Sequence, residues 1–371
     1  MSRIIRNISL FAGCGGIDLG FKWAGINTVA AVEIKEYACA TLRRNFPETY
    51  VFGPPYHTGD VRNITGDEIR QAIQFNGEID VLSGGPPCQP FSVASGQRWG
   101  KDDPRYRRKG NENKEIGDLL PDYVRLIQEL KPKVFLLENV EGLLTWNEGE
   151  YLMTSLQPIL NEYKISKPQV INAVNYGVPQ YRERFILIGT RIPGKIPSIP
   201  EQTHAEADLL YEPYTTVENA FESFSEDLPN HELREHKPET IERYRRLAFG
   251  QRDKLGRVDR LNPFLPSKTV ISGGDRGGGR SHLHPYLPRT LSPRECARLQ
   301  TFPDDFIFEG NMSRQFTQVG NAVPPLLAYH LGRYIVEEIL EERTVPGVDL
   351  SEVKHPVVSK IALKKEKAIT Y

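Results

Sequence analysis

The chain has 371 residues, 39% hydrophobic and 26% charged, with a formal net charge of −1. That length rules out a small stapled scaffold and allows two domains or one large domain with an insertion, since single cores tend to divide beyond about 250–300 residues. No run approaches the roughly 18 to 20 apolar residues of a membrane-spanning helix, the short apolar run after Met1-Ser2-Arg3 ends in glycines and is no signal-peptide core, and near-neutral charge excludes a coat of bulk basicity; a soluble, cytoplasmic protein with no membrane partner is expected.

In chain order, short β-rich runs predict strands over residues 4–10, 28–33, 79–83, 134–138, 169–173 and 185–189. Apolar spacing predicts helices over 35–45, 64–75, 118–130 and 151–163, the third carrying Leu119, Tyr123, Leu126, Ile127 and Leu130. This alternation is that of an α/β domain with a mostly parallel sheet covered by helices. After Thr190 a proline-punctuated run, 191–200, opens a stretch without regular alternation, and a second, smaller and irregular domain is expected there. Between His231 and Gln300 stand 15 Lys and Arg against 8 Asp and Glu, a local +7 that predicts an anionic partner. The run 272–280 is too glycine-rich for a regular element and suits close backbone approach. The tail from Ser351, with 5 Lys and 2 Glu, shows little periodicity and stays unassigned.

The four cysteines, Cys14, Cys39, Cys88 and Cys296, form no CxxC pair and no Cys/His ligand spacing, so neither a disulfide framework nor a metal site follows. Chemistry gathers instead at predicted strand ends, where open parallel sheets bind ligands. After the first strand comes Phe11-Ala12-Gly13-Cys14-Gly15-Gly16, and Glu33 ends the next strand 20 positions after Gly13. Glycines admit a ligand close to the backbone, and a carboxylate at the second strand end accepts ribose hydroxyls. Asp18 stands where the third glycine of a dinucleotide fingerprint would be, which weakens a nicotinamide cofactor and leaves a smaller adenosine-containing ligand; a tight turn without ligand is the alternative. Asp60 marks a third strand end, or a solvated loop.

Gly84-Gly85-Pro86-Pro87-Cys88-Gln89-Pro90 puts a thiol on a rigid loop rather than in a core, and nucleophilic work there requires nearby positive charge or a base. Glu138-Asn139-Val140 ends another apolar strand; kept protonated in a closed site, Glu138 could donate to a ring nitrogen, and a surface or capping glutamate is the alternative. In Gln180-Tyr181-Arg182-Glu183-Arg184, the two arginines point to one side of an extended segment, an arrangement more often solvated or salt-bridged than catalytic.

The order of these motifs, completed by residues 289–303 and by Gln318-Val319-Gly320-Asn321-Ala322-Val323-Pro324-Pro325, closely resembles the DNA cytosine-5 methyltransferase family over roughly residues 7 to 335. The resemblance implies a Rossmann-like S-adenosylmethionine-dependent domain (1–190 and 316–345), a target-recognition domain (191–315) and a tail (346–371). It implies that Phe11, Gly13, Cys14, Gly15, Gly16, Asn321 and Ala322 line the cofactor pocket, that Glu33 binds ribose hydroxyls, and that Asp60 binds the adenine amino group. Cys88 would be the nucleophile, Pro87 would help hold the base, Glu138 would contact ring nitrogen 3 and the amino group, and Arg184 would stabilise the adduct with Arg182 close by. Gln180 and Asn321 would shape the site. The substrate would be double-stranded DNA with the target cytosine flipped out, under a basic loop at 98–109; no metal is needed. Phosphate attraction would come from the local +7, and Arg276, Arg280, Asn262 or Gln251 would read bases. A monomeric, prokaryotic modification-type enzyme is expected, since no regulatory domain precedes Phe11, with restriction or defence proteins as candidate partners. A transfer RNA methyltransferase and a catalytically silent DNA-binding homologue are the alternatives.

Overall fold

The computed structural model describes residues 3–87, 119–255, 258–271 and 282–361. The strands are β1 (Ile5–Leu10), β2 (Ile26–Val32), β3 (Tyr50–Phe52), β4 (Val81–Gly84), β5 (Val134–Asn139), β6 (Lys164–Ile165), β7 (Gln169–Asn172) and β8 (Glu183–Thr190), and the apolar runs of β1, β4, β5 and β8 are buried on both faces over most of their length. They form one sheet in the order β3-β2-β1-β4-β5-β8-β6, with β7 also paired to β8. β1 to β5 run parallel, and β8 is antiparallel to β5, β6 and β7. The period of two divides the sheet cleanly, Val134 and Leu136 facing one apolar cluster while Phe135 and Leu137 face the other. Strand order reverses between β1 and β4, which puts a ligand crevice at their carboxyl ends.

The helices used below are α1 (Gly16–Trp23), α2 (Glu36–Asn45), α3 (Gly66–Ala72), α4 (Leu120–Leu130), α5 (Pro293–Leu299), α6 (Met312–Asn321) and α7 (Pro325–Tyr334). The predicted helix at 64–75 is shorter than expected because the Thr65 hydroxyl accepts the Glu68 N–H at 3.2 Å and caps it. The predicted helix at 151–163 is a correction. It is helical only over Glu150–Leu156 and continues as a 3-10 turn, Gln157–Ile159, because Pro158 has no N–H to give an α-helix. Leu152, Leu156, Ile159 and Tyr163 are nonetheless buried, so the spacing had identified a buried face rather than a continuous helix.

α7, from late in the chain, packs directly on α1. A Cβ at Gly20 would stand 2.2 Å from the Pro325 carbonyl oxygen, so only glycine permits this approach. Beyond Thr190, paired two-residue strands and short helices replace the regular alternation. Tyr244, Val258 and Leu283 make a small separate cluster, whereas Leu261, Val270, Leu291 and the α5 residues Cys296, Ala297 and Leu299 join the main one. Among the described residues no helix is long and apolar enough to cross a membrane.

The tail, unassigned from sequence, is described as far as Ile361. A 3-10 turn at Leu350–Glu352 leads to His355, which is 2% exposed. Its Nε2 donates to the Arg298 carbonyl at 2.8 Å and its Nδ1 accepts the Val357 N–H at 3.2 Å, which requires a neutral ring. Burial pushes its pKa down to about 4. Between about pH 6.5 and that value the unfolded chain binds the extra proton, so this group's contribution, full above pH 6.5, is lost on acidification, by about 3 kcal/mol in all. Urea unfolding of His355→Gln between pH 7 and 4 should show a pH dependence smaller by about one proton than the parent chain; an unchanged slope would contradict this.

Candidate active site

The glycine loop leaves β1 through residues that the backbone forces into unusual conformations. Phe11, Gly13 and Gly15 have φ of 55°, 57° and 88°, and the Gly15 N–H closes the turn on the Ala12 carbonyl at 2.9 Å. Ala12 in turn donates to Val32 at 3.1 Å, tying the loop to the end of β2. There Glu33, 8% exposed, accepts the Gly13 N–H at 2.8 Å and the Lys35 N–H at 2.7 Å. Burial raises its pKa, and these hydrogen bonds work against that rise. A Cβ built on Gly13 meets nothing within 4 Å, so the loop borders open space at this point.

The other predicted pocket residues gather around that loop. Cys14 is buried, and its thiol donates to the Gln318 carbonyl at 3.6 Å. Gly16 lies against Val323, whose carbonyl oxygen a Cβ would approach to 2.2 Å. These two contacts bring the exposed Asn321 and half-buried Ala322 beside the loop. Asp60 also lies close, since a Cβ on the preceding Gly59 would fall 2.0 Å from the Glu33 carbonyl. Its carboxylate is held by Arg62, whose Nε stands 2.9 Å from Oδ1, and that bond holds its pKa below the usual carboxylate range.

A second group forms where β4 and β5 end. Their parallel register pairs Gly84 with Leu137, which sets Gly85 beside Glu138: a Cβ on Gly85 would meet Glu138 Oε2 at 2.6 Å. Asn139 Nδ2 donates to the Pro86 carbonyl at 2.9 Å and fixes the departing chain, whose half-buried Pro87 ends the described segment. Cys88, Gln89 and the basic run 98–109 lie outside the described residues, as do Arg276 and Arg280. On β8, Arg184 Nε donates to Glu138 Oε1 at 2.9 Å, the two side chains 14% and 13% exposed. Burial raises the Glu138 pKa, opposed first by Arg184 and then by Arg182.

Arg182 and Gln180 occupy the interior rather than an open cleft. Arg182 is 1% exposed and donates to the Val270 carbonyl at 3.2 Å and the Gly320 carbonyl at 2.7 Å. Gln180 Nε2 lies 3.0 Å from Gln300 Oε1. Gln300, which is fully buried, falls within the 289–303 motif, and nothing in its spacing marks it as buried.

Several arginines of the segment that carries the local +7 also hold its fold together. Arg260 donates to the carbonyls of Tyr244, His284 and Pro285, and Arg294 to those of Pro229, Pro303 and Phe306. Arg298 pairs with Asp304 at 2.7 Å, and Arg289 with Glu295 at 2.8 Å. At the surface Arg245 and Arg246, 65% and 78% exposed, share the single carboxylate of Glu242. Of the candidate base readers, Asn262 accepts the Phe264 N–H at 3.0 Å and Gln251 accepts the Ala248 N–H at 2.9 Å, both as local turn caps.

Comparison with known proteins agrees with this arrangement. The C-5 cytosine-specific DNA methylase family matches residues 5–337. The chain is 33% identical over 345 residues to the type II methyltransferase M.NgoFVII of Neisseria gonorrhoeae, covering 89% of this chain and 86% of that protein. It is 34% identical over 354 residues to the type II methyltransferase M1.HphI of Haemophilus parahaemolyticus, covering 91% and 87%. A crystal structure of a prophage-encoded E. coli protein assigned as a DNA modification methyltransferase superposes with a TM-score of 0.70 at 26% identity, covering 91% of this chain and 99% of the other. With the strand order, the Glu33-closed glycine loop and the Glu138–Arg184 pair accounted for, the chain belongs to the C-5 cytosine-specific DNA methylase family and is a DNA cytosine-5 methyltransferase.

Proposed function

We propose that the enzyme methylates carbon 5 of a cytosine flipped out of a specific duplex sequence, through a transient bond from Cys88, as the modification partner of a type II restriction system. The observation that carries this reading is the Glu138–Arg184 pair held beside Gly85, three residues before Cys88, at the same sheet edge as the Glu33-closed loop. Carbon 5 of cytosine is a weak nucleophile. Addition of the Cys88 thiolate at carbon 6, with Glu138 hydrogen-bonding or donating a proton at nitrogen 3, loads electron density onto carbon 5. A base stacked in the duplex exposes neither face of its ring, so extrusion precedes this step. Arg184 orients Glu138 through its Nε and offsets negative charge on the adduct, while Pro87 bounds the base. Removal of the carbon-5 proton and departure of the thiolate then restore the aromatic ring.

The residues at the other strand ends fit S-adenosylmethionine. Gly13 borders open space, and Glu33 and Asp60 offer carboxylate oxygens at neighbouring loop positions. Phe11, Gly13, Glu33, Asp60, Asn321 and Ala322 would hold it, with Cys14, Gly15 and Gly16 shaping the loop. When bound it supplies the electrophilic methyl group that carbon 5 accepts. Residues 191–315 would read the sequence, and the enzyme would act as a monomer, with a restriction nuclease or another defence protein as its partner in the cell.

Bisulfite sequencing of DNA from a host expressing the chain tests the reading, since one measurement reports activity and sequence context. Protected cytosines at a single short sequence are expected. Methyl transfer to transfer RNA in their place would favour the RNA alternative.

A further inference from the structure

Three buried side chains outside the reacting pair join segments that sequence separates widely. Gln180, Arg182 and Gln300 are 0%, 1% and 0% exposed. Gln180 Oε1 accepts the Val270 N–H at 2.9 Å while Arg182 donates to the Val270 carbonyl at 3.2 Å, so both polar groups of one backbone residue are gripped by two side chains of one strand approach. The grip extends along the chain. Tyr181 N–H donates to the Ser267 carbonyl at 2.9 Å, Ser267 N–H to Pro179 at 2.9 Å, and the Thr269 hydroxyl to the Tyr181 carbonyl at 2.7 Å.

From this junction two routes lead to the site. Arg182 also holds the Gly320 carbonyl at 2.7 Å. Gln180 Nε2 bonds Gln300 Oε1 at 3.0 Å, and Gln300 Nε2 reaches the carbonyls of Val319 at 2.7 Å and Ala322 at 3.4 Å, next to the Val323 that packs on Gly16. Two residues after Arg182, on β8, stands Arg184, paired with Glu138. A buried guanidinium set against carbonyls alone gains little stability, and burial drives its pKa well down. Its planar fork does, however, hold several backbone groups at fixed angles, which an apolar side chain cannot do.

We propose that Gln180, Arg182 and Gln300 are positioning residues that make methyl transfer depend on correct sequence readout, by fixing residues 267–270 of the recognition region to the Arg184 strand and to the 319–322 turn. This rests on the reading that residues 191–315 recognise DNA. A displacement at Val270 then shifts Arg184 and the cofactor-side turn together, and a mismatched duplex is methylated poorly even when bound.

The test uses the full chain and duplexes carrying either the methylated sequence found by bisulfite mapping or a single base-pair change within it. Gln180→Met and Gln300→Met keep side-chain volume and remove the polar links. Each should lower the ratio of kcat/KM between the two duplexes by about tenfold, the net worth of one hydrogen bond, and the double variant should lose little more because the two side chains share one route. Thr269→Val removes a strut at the half-buried edge, and should give a smaller loss of the same ratio if the glutamine variants fail to fold. A fall in kcat that is equal on both duplexes, with the ratio unchanged, overturns the inference and leaves the proposed function standing. A parent chain that methylates no duplex DNA overturns the functional reading and the inference with it.

Discussion

Cys88→Ser is expected to reduce methyl transfer to background while leaving duplex binding intact. The nucleophile must be an anion, and a serine hydroxyl does not ionise near neutral pH, whereas a free thiol with a pKa near 8.5 is already a few per cent thiolate. Other cysteines cannot substitute. Cys14, Cys39 and Cys296 are buried, and burial raises the Cys14 thiol strongly and the Cys39 thiol to about 12. The chain leads to Cys88 from Gly85, which lies beside Glu138 and its partner Arg184. Single-turnover methyl transfer and a gel-shift titration on the same preparation check both halves of the expectation. Turnover surviving in the serine variant would remove the covalent step; so would failure of a 5-fluorocytosine duplex to crosslink to the parent chain at this residue.

Glu138→Gln should cost roughly 10²–10⁴ in kcat, the usual worth of a positioned proton donor. Glutamine keeps an oxygen for the Arg184 Nε, so the pair's geometry survives while the transferable proton is lost; truncation to alanine would instead leave a mostly buried guanidinium unpaired. The pH profile separates this role from a passive one. Burial raises the Glu138 pKa, so the donor form persists to higher pH than in an exposed glutamate, and the rate should fall as pH rises through that pKa. In the glutamine variant this alkaline limb should vanish. A variant that kept the parent's limb, or lost less than about threefold in kcat, would assign the proton to another group.

Much of the sheet was legible in the sequence because parallel strands buried on both faces read as unbroken apolar runs. Residues 134–138 fall within one residue of β5, and 169–173 within one residue of β7, an antiparallel and half-buried strand that its β-branched residues alone marked. β3, Tyr50–Phe52, was given no range, since three residues carry no period, and Asp60 does not end it: it caps the 3-10 turn Val61–Asn63 further along the chain. Helix spacing found buried faces correctly but missed where Thr65 and Pro158 punctuate them. The motifs put Glu33, Glu138 and Arg184 at strand ends, and the sheet register supplied what spacing could not, namely that Gly85 and Glu138 are neighbours. Least legible were the buried charges. Arg182, Arg260 and Arg294 look like surface residues in composition, and only the carbonyls facing them in the folded chain show otherwise.

The packing of α1 on α7 has a consequence for how the molecule comes into being. Cys14 and Gln318, 304 positions apart, touch across the same junction. During vectorial synthesis the first helix therefore emerges from the ribosome long before its partner exists, and its glycine-lined face waits bare while most of the polypeptide is made. Early β-strands can pair meanwhile, but the glycine turn after β1 acquires its backing only after Tyr334 has left the exit tunnel.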